Sequence, residues 1–566
     1  MEQIEYEKIE VREELSYRIL KNYARLEGLE YRPERIFHMG KSWPGDWEGR
    51  TRLAWVMLAR ISGRKPAYLA AVDAVLDRNL NSRHYFQKVL PQGMADEQQV
   101  SGHNWFLRSL LEEYLWTGKK ETADRAKQLV ENLYLPLTGM YEKYPFHPDD
   151  RNKNGKASGH IEGKAMNGWL LSTDIGCAFM PLDGLGQYLQ IFHDGRVETL
   201  LAEMTASLQR IDMMACSMQT HAALSAARGV VRYYQCCGRR ELLAYAESVF
   251  ETYLEHGMTE NYANYNWFGK PAWTEPCAIV DSYLLAVELF KETRKRKYIP
   301  VSNRILYNAL SHAQRENGGF GCDKCAGSAD YPDVLAVYPD CFEASWCCSM
   351  RGGEGLAKAG AQAVLKDGKD YFFLNYIPMR YQSEEISFTV STGYPYTGQA
   401  EIQAEGTGFP VRMKFYVPQG TQCGDVKARF NGTSCPAVWE DGLLCVTLTE
   451  EGCLSLDFPI ALRTQEPVSR ALRGRYVSLW YGDLMLGVRT EAQEQERVCL
   501  PDNLQELKYL GKGRFQTKKC LFQPVGGSIY HDKENMIAFR FQILYAVISK
   551  GCPVPENKIA GNGENV

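Results

Sequence analysis

HNWFLRSLLEEYLWTGKKETADRAKQLVENL, residues 103–133, has the pattern of two helices joined by one tight turn. Apolar side chains recur at three- and four-residue steps in its first half, for example at Phe106, Leu107 and Leu110. This spacing places them on one face of a helix, which is the face that packs into a core. The stretch turns at Gly118, which two lysines follow. It therefore predicts a helix hairpin.

The same hairpin pattern recurs along the chain. HAALSAARGVVRYYQCCGRRELLAYAESVFETYL, residues 221–254, also starts with a histidine and turns at a glycine, and a third copy spans residues 277–310. Weaker copies lie near residues 50–80 and 180–211. Helix hairpins of this kind bury their apolar faces by stacking on neighbours. Five or six of them predict closure into an (α/α)6 barrel, with the loops at one end lining a single cleft.

A period of two replaces the helical period after about residue 370. Ile386, Phe388 and Val390 alternate with polar residues, and turn signals such as Asn431-Gly432 separate the alternating runs. Short alternating strands at this spacing indicate an antiparallel β-sandwich.

The expected fold class is α+β and multidomain, an (α/α)6 barrel followed by an antiparallel β-sandwich. A chain of 566 residues exceeds what one hydrophobic core usually supports, so several domains are expected. The expected divisions are an N-terminal segment at residues 1–35 that could pack on the sandwich, the catalytic barrel at residues 36–365, the β-sandwich region at residues 370–550 and a flexible tail at residues 553–566.

Composition excludes several kinds of partner. The chain is 45% apolar and 24% charged, and its net charge of −4 gives no reason to expect nucleic acid or an anionic membrane as a partner. No apolar stretch reaches the roughly 20 residues of a membrane span. The N-terminus, MEQIEYEKIEVREELS, is too charged for a secretory signal, so a cytoplasmic protein is expected. Its 17 cysteines should then be reduced.

Two short motifs carry the chemistry, Glu275-Pro276-Cys277 and Cys347-Cys348. Both lie at predicted helix starts, and together they offer three thiols and one carboxylate. Zinc is usually four-coordinate with Cys, His and carboxylate ligands, and a sulfur-rich set favours it over calcium or magnesium. Residues two apart do not share a helix face, and adjacent residues point apart in any regular element, so both motifs are expected on irregular backbone.

Other uses of these cysteines stay open. Free Cys is among the most buried residue types, so the pairs could simply be core residues. Cys322-Asp323-Lys324-Cys325, followed by Cys341, has the C-x2-C spacing of a structural zinc site, although the sequence has no second pair of that form.

The motifs and their order resemble glycoside hydrolase family 127, the zinc-dependent enzymes typified by β-L-arabinofuranosidases. That family joins an (α/α)6 barrel to β-sandwich domains, with Glu-x-Cys at the start of one barrel helix and Cys-Cys at the start of a later one. The resemblance extends to RILYNAL, residues 304–310, and to STGYPYTGQAEIQ, residues 391–403.

The resemblance implies roles for particular residues. Glu275, Cys277, Cys347 and Cys348 would bind Zn²⁺, and Cys347 would be the nucleophile. Glu260, fifteen positions before Glu275 where relatives have sixteen, would be the general acid/base. Most retaining glycosidases use two carboxylates, and here a metal-bound thiolate would replace one of them.

Four further residues are implied to contact the sugar. His103 and His221 resemble the family's histidines that bind sugar hydroxyls, Asp174 stands where relatives often have another histidine, and Asp46 lies where the barrel opens. Relatives follow the Cys pair with Pro-Pro-Asn, whereas this chain has Ser-Met-Arg-Gly-Gly at residues 349–353. These changes favour a different sugar more than an inactive enzyme.

The resulting hypothesis is a retaining glycoside hydrolase that acts on a β-L-arabinofuranoside or related sugar, with a glycoside as its partner and a possible homodimer as its assembly. One alternative is a carbohydrate-binding or structural protein in which zinc is a structural staple. Another is a metal-free (α/α)6 epimerase or uronyl hydrolase, for which Asp46, Glu48 and Asp174 would be the acidic groups.

Overall fold

The computed structural model describes most of the barrel and the sandwich. The described residues are 1–39, 42–151, 161–325, 336–339, 341–467, 477–490, 500–501, 503–517, 520–527 and 540–542. The tail expected at residues 553–566 lies outside them. None of the helices in these ranges is long and apolar enough to cross a lipid bilayer.

The first two thirds of the chain are mainly helical. The helices are α1 Glu13–Arg25, α2 Ile36–Met39, α3 Asp46–Ser62, α4 Leu69–Leu76, α5 Glu97–Thr117, α6 Lys120–Leu129, α7 Pro181–Phe192, α8 Gly195–Leu208, α9 Thr220–Cys237, α10 Arg240–His256, α11 Pro276–Thr293, α12 Tyr298–Arg304, α13 Ser311–Ala313 and α14 Cys348–Ala361. Segments Val130–Tyr134 and Ile305–Leu310 are π-helical continuations of α6 and α12.

Six helices form a closed inner ring. In chain order these are α3, α5, α7, α9, α11 and α14; each contacts the next, and α14 returns to α3. Helices α6, α8, α10 and α12 lie outside their inner partners, and α1 packs outside α14. The (α/α)6 barrel predicted from the hairpin repeat is confirmed.

Glycines set the closest approach between inner helices. A Cβ atom on Gly49 of α3 would lie 2.1 Å from the backbone nitrogen of Phe106 on α5. A Cβ atom on Gly229 of α9 would lie 2.1 Å from the carbonyl carbon of Leu182 on α7. Real side chains do not tolerate such distances, so these two crossings depend on glycine.

Strands dominate the rest of the chain. They are β1 Glu2–Gln3, β2 Ile9–Val11, β3 Ala95–Asp96, β4 Ile161–Met166, β5 Trp169–Ser172, β6 Asp323–Lys324, β7 Ala336–Pro339, β8 Val364–Asp367, β9 Asp370–Phe373, β10 Met379–Gln382, β11 Ile386–Thr392, β12 Gln399–Gly406, β13 Val411–Phe415, β14 Lys427–Phe430, β15 Thr433–Ser434, β16 Val438–Glu440, β17 Leu443–Leu448, β18 Gly452–Asp457, β19 Leu462–Gln465, β20 Ser478–Tyr481, β21 Leu484–Thr490, β22 Lys508–Gly511, β23 Arg514–Gln516, β24 Leu521–Pro524 and β25 Arg540–Gln542.

Two sheets form the sandwich. Their strand orders are β1-β8-β9-β13-β17-β16 and β15-β14-β18-β12-β11-β10-β2. Inward and outward residues alternate along β11 and β12, as the period of two predicts. The pairs are antiparallel except β9 with β13, which is parallel. Strands β1 and β2 bring the N-terminal segment to one edge of each sheet.

A third sheet contains β19 to β25 together with β6 and β7, which come from the segment before α14. One continuous core cluster joins the barrel to the sandwich. Within that cluster the side-chain amide of Asn303, on α12, donates to the carbonyl of Leu374, just after β9, at 2.9 Å. The sandwich therefore covers part of the outer wall of the barrel.

Candidate active site

Glu275 and Cys277 flank the first residue of α11. Glu275 is the N-cap residue, with extended backbone at φ −127° and ψ 110°, and Pro276 is the first helical residue. Proline suits this position because the first helical N–H has no partner within the helix. The carboxyl and the thiol therefore meet at the positive end of the helix dipole, which favours negative charge.

Cys347 and Cys348 lie at the start of α14, as Glu275 and Cys277 lie at the start of α11. Cys347 is the N-cap residue, with φ −151° and ψ −53°, and Cys348 is the first helical residue. This irregular backbone turns the two neighbouring side chains to one side, so that their Sγ atoms lie 3.3 Å apart.

The two helix starts bring three thiols together. Sγ of Cys277 lies 3.7 Å from Sγ of Cys348, and the sulfur atoms of Cys277, Cys347 and Cys348 all lie within 4.8 Å of one another. Three sulfur ligands of one tetrahedral zinc ion would be about 3.8 Å apart at the usual Zn–S distance. Glu275 and His221 also offer ligand atoms within 4.8 Å of Cys277 Sγ. The donor set fits zinc.

Exposure distinguishes the three thiols. Cys277 and Cys348 are fully buried, whereas Cys347 is partly exposed. Glu275 is partly exposed as well. The open side of the cluster therefore presents one sulfur and one carboxylate.

The pKa values show how the cluster holds charge. Burial alone would raise the pKa of Cys277, but hydrogen bonds with Cys347 and Cys348 and the charge of Arg50 bring it well below its ordinary value. The hydrogen bond with Cys277 raises the pKa of Cys347. Burial, then the charge of Cys277, raises the pKa of Glu275. A cation among these groups would favour the ionised forms of all of them.

Arg50 is the cation nearest to the cluster, and the sequence did not single it out. Its Nη1 donates to Cys277 Sγ at 3.4 Å, and its Nη2 lies 3.4 Å from Nε2 of His221. Its Nε is 2.8 Å from both carboxylate oxygens of Asp46, one helical turn earlier on α3. Asp46 thus holds Arg50 in place.

His221 is fixed through both ring nitrogens. Its Nδ1 lies 2.7 Å from Oδ2 of Asp281, and its Nε2 faces Arg50. Its ring stacks on Trp105, with 5.6 Å between ring centroids and 12° between planes. The other oxygen of Asp281 accepts from Arg228 at 2.7 Å.

Trp105 packs against two arginines of this site as well as against His221. The guanidinium carbons of Arg50 and Arg351 lie 4.2 Å and 4.4 Å from its ring centroid. Arg351 also bonds to Asp281 at 2.5 Å. Buried arginines next to a ring face gain cation–π stabilisation, and the neighbouring carboxylates balance their charges.

A common spacing connects these supporting residues to the site. Arg50 follows Asp46 by four positions. In the same way Asp281 follows Cys277, and Arg351 follows Cys347. Residues four apart share a helix face. A charged residue one turn after a site residue on α3, α11 and α14 is the signal that could have identified them.

His103 is held differently from His221. Its Nδ1 pairs with the carbonyl of Gln99 at 2.7 Å, and its Nε2 accepts from the backbone N–H of Phe86 at 2.9 Å. Burial lowers the pKa of His103 to about 4. Both nitrogens are occupied by backbone, so we do not place His103 among the groups that contact a sugar.

Glu260 is buried in the turn Thr259–Tyr262, in the loop between α10 and α11. Asn264 in this loop accepts from the backbone N–H of Glu275 at 2.9 Å, which fastens the loop to the start of α11. Asp174 is buried near the same end, where its charge contributes to the raised pKa of Glu275.

Cys322, Cys325 and Cys341, the cysteines of the C-x2-C stretch and the one that follows it, do not form one site. The backbone N–H of Cys322 donates to Sγ of Cys341 at 3.4 Å. The thiol of Cys325 points instead to the carbonyl of Asn264, at 3.6 Å. The C-x2-C pair therefore does not close on a common metal position.

Comparison with known proteins identifies a family and a fold. A family model described as "Beta-L-arabinofuranosidase, GH127 catalytic domain" matches residues 66–361, more than half of the chain. No curated protein sequence matches the chain.

Solved structures are similar over nearly the whole length. A protein titled "Glycoside hydrolase" has 14% sequence identity, a TM-score of 0.69, and coverage of 96% of this chain and 97% of its own. The GH127 β-arabinofuranosidase BT3674 has 12% identity, a TM-score of 0.67, and coverage of 97% and 98%. Ara127N-Se, a GH127 β-L-arabinofuranosidase from Geobacillus stearothermophilus T6, has 12% identity, a TM-score of 0.62, and coverage of 94% of each chain. At these identities the likeness concerns the fold.

Proposed function

The chain belongs to the GH127 family of β-L-arabinofuranosidases and is a glycoside hydrolase; on that premise we propose that it is a retaining enzyme whose nucleophile is the thiolate of Cys347. The observation that carries the proposal is the unequal exposure of the three clustered thiols. Cys347 alone among them is partly exposed, while its two neighbours are buried. A nucleophile must reach the anomeric carbon, and Cys347 is the sulfur that can.

Glu275, Cys277, Cys347 and Cys348 would hold a zinc ion. His221 is the other ligand candidate beside Cys277, but Asp281 and Arg50 already occupy its nitrogens. When bound, zinc keeps its coordinating thiols deprotonated at neutral pH. This matters for Cys347, because its hydrogen bond with Cys277 otherwise raises its pKa.

Glu260 would be the general acid/base. Its loop is fastened to the start of α11 through Asn264, and the side chain of Gln219 donates to Glu275 at 3.3 Å on the same side. The bond from Asn264 holds this loop at the start of α11, next to Glu275. Glu260 itself is buried in this loop, as are Tyr262 and Trp267.

The reaction would proceed in two displacements. In the first, Cys347 Sγ bonds to the anomeric carbon while the glycosidic bond breaks, and Glu260 gives its proton to the departing oxygen. In the second, water attacks the same carbon, Glu260 takes a proton from the water, and Cys347 leaves as a thiolate. Two inversions give net retention of configuration.

The geometry weighs against the alternatives. A structural zinc site is closed, whereas Cys347 and Glu275 are partly exposed here. A metal-free epimerase would need free histidines or paired carboxylates in the cleft. His103 bonds to backbone through both nitrogens, and Asp46 pairs with Arg50.

The proposed substrate is a β-L-arabinofuranoside or a related sugar. Asp174 would contact a sugar hydroxyl near Glu275. Of the residues that differ from the family after Cys348, Ser349 bonds to Glu343 and Arg351 reaches Asp281, so both act through protein contacts. Substrate selection would then depend on Asp174 more than on that segment.

The test is hydrolysis of nitrophenyl glycosides, including β-L-arabinofuranosides, with the anomer of the first product identified by NMR. We expect retention in the wild type, loss of turnover in Cys347→Ala with the fold kept, and a large loss in Glu260→Gln. Cys445→Ala is the matched control, because it removes a buried thiol from the sandwich. Undiminished hydrolysis by Cys347→Ala would overturn the thiolate mechanism.

A further inference from the structure

A second cavity lies at the end of the barrel opposite the thiol cluster. Asp46, His221, Cys277 and Cys348 all lie in the first turns of their inner helices, whereas later turns of all six inner helices line this cavity. The N-terminal segment around Tyr6 borders it as well. Its volume is about 530 Å³, which is within the range of small-molecule sites. The proposed function assigns no role to it.

Positive charge predominates in the wall of this cavity. Three carboxylates line it, those of Glu5, Glu112 and Glu288. The five cations that line it are Arg60, Arg228, Arg232, Lys291 and Lys358. Five cations against three carboxylates leave two positive charges in excess, and a cleft with such an excess attracts anions.

The carboxylates of the wall do not neutralise all of its cations. Glu112 lies 3.4 Å from Arg60, and Glu288 lies 2.8 Å from Lys291. Glu5 is exposed at the rim. In the described part of the chain, none of these three carboxylates forms an ion pair with the other cations of the wall. Those cations are therefore the groups that an anion could reach.

Lys358 is the clearest of them. Within the described residues, its ammonium group donates to the side chain of Gln3 at 3.0 Å and lies 5.4 Å from the ring centroid of Tyr6, and it forms no ion pair. An ammonium group has three N–H donors. Two donors of Lys358 therefore remain for a ligand in the cavity.

Arg232 has only a shared counter-charge. Asp183 pairs with three guanidinium groups, those of Arg108, Arg228 and Arg232, at 3.1, 2.5 and 2.8 Å. Arg108 and Arg228 have further carboxylate partners, but Arg232 has no other among the described residues. Arg232 also lies more than one turn before the end of α9, so the carbonyl groups at that helix end do not balance its charge.

Two buried glutamines of the wall lack a hydrogen-bond donor. Gln187 and Gln362 are 3% and 1% exposed, and the side-chain oxygen of each has no hydrogen-bond partner among the described residues. A buried acceptor without a partner is unfavourable. A ligand that suits this wall therefore carries hydroxyl groups in addition to its negative charge.

We propose that this cavity binds a small anionic sugar, either a sugar phosphate or a sugar acid. The phosphate or carboxylate group accepts hydrogen bonds from Lys358 and Arg232, and the hydroxyl groups of the sugar donate to Gln187 and Gln362. This site is separate from the proposed active site, which binds the glycoside at the other end of the barrel. Binding here does not depend on the proposed hydrolysis.

The experiment is isothermal titration calorimetry of the full-length protein with glucose 6-phosphate, glucuronate and glucose at constant ionic strength. We expect at least one of the two anions to bind and glucose to bind far more weakly. Lys358→Met and Arg232→Gln should each weaken anion binding about tenfold, because each removes one hydrogen bond from a charged donor.

Lys21→Met is the matched control. Lys21 is half-buried like Lys358 and also lies beside a tyrosine ring, 5.7 Å from the centroid of Tyr17, but it is on α1 and does not line the cavity. It should bind the anion as the wild type does. Circular dichroism checks the fold of each variant, and Arg232→Gln keeps the test decisive if Lys358→Met does not fold.

Tighter binding of glucose 6-phosphate would identify a phosphate ligand, and tighter binding of glucuronate a carboxylate ligand. The proposal is overturned if neither anion binds, or if glucose binds as tightly as both of them. Undiminished binding in Lys358→Met and Arg232→Gln would place the anion at another part of the protein and would overturn the proposal as well.

Discussion

Nδ1 of His221 lies 2.7 Å from Oδ2 of Asp281, so a residue on α9 is locked to one on α11 directly beneath the thiol cluster. Burial alone would raise the pKa of Asp281, but the charge of Arg351 and the bond to His221 lower it, which keeps Asp281 ionised. His221 therefore carries its proton on Nδ1 and turns Nε2 toward Arg50. This pair fixes the orientation of the ring at the floor of the cleft.

Asp281→Asn should destabilise the fold strongly. Asparagine has the same shape but removes one of the buried carboxylates that balance Arg228 and Arg351, which keep only Asp183 and Glu354 as charged partners. Breaking a buried ion pair in this way typically costs about 3 to 5 kcal/mol. We expect a loss of that order in the free energy of unfolding, measured with urea. Turnover should fall too, because the His221 ring loses its anchor.

Asp77→Asn is the matched control for this substitution. Asp77 pairs with Arg125 at the surface, where its side chain is 65% exposed. Exposed pairs contribute about 0 to 1 kcal/mol. Equal losses in the two variants would contradict the importance given to the buried network.

His103 should make stability depend on pH. Burial lowers its pKa in the folded state to about 4, whereas an unfolded histidine titrates near about 6.5. The unfolded chain therefore binds the proton more readily between these values. Above about pH 6.5 the neutral His103 adds its full contribution to the free energy of unfolding. As the pH falls toward 4, about 3 kcal/mol of that contribution is lost.

His103→Gln tests this expectation, because glutamine keeps one donor and one acceptor but never ionises. Melting temperatures of wild type and variant, measured from pH 7 to pH 4.5, should converge as the pH falls. Curves that stay parallel would show that His103 does not supply the pH dependence.

Gly49→Ala should be severely destabilising. The new Cβ atom would meet the backbone of Phe106 at 2.1 Å, so α3 and α5 would have to separate. Overpacking in a core commonly costs about 1 to 3 kcal/mol, and backbone atoms move aside less readily than side chains do. Gly195→Ala on α8 is the control, because nothing lies within 4 Å of its Cβ position and its helical backbone suits alanine. We expect the control to be neutral or slightly more stable in thermal unfolding.

Cys277→Ser should lower both zinc content and melting temperature. Cys277 is fully buried at the centre of the cluster, and serine binds zinc poorly compared with a thiolate. Elemental analysis should find about one zinc ion per wild-type chain and much less in the variant. Cys445→Ser, at a buried cysteine in the sandwich, should keep its zinc. Equal zinc in wild type and Cys277→Ser would remove Cys277 from the ligand set.

The sequence predicted the barrel and the sandwich because both depend on periodicity. Helices α5, α9 and α11 were recognised through apolar side chains at three- and four-residue steps, and β11 through strict alternation. Strands β1 and β2 could not be recognised, since two or three residues carry no period. Helix α1 was not recognised as the outer partner of α14, because more than 300 residues separate the two.

The thiol motifs were visible in the sequence for a different reason: their residue types are rare and chemically specific. Arg50, Asp281 and Arg351 were not visible, because a charged residue in a helical pattern normally faces solvent. Here the charges turn inward at the centre of the ring and balance one another. His103 was predicted at a helix start, whereas α5 begins at Glu97 and contains His103 in its second turn. The sequence also does not reveal that backbone groups occupy both ring nitrogens of His103.

The pairing of the N-terminal segment has a consequence for synthesis on the ribosome. Residues 2–11 form strands with partners between residues 364 and 382, and α1 packs on α14. At about 5 to 20 residues per second, those partners emerge about 20 to 70 s after the segment itself. Throughout that interval Leu15, Ile19 and Tyr23, which the finished protein buries, lack their α14 neighbours. This segment is therefore placed long after it is made, and the apolar face of α1 lacks its α14 partner until α14 itself has been translated.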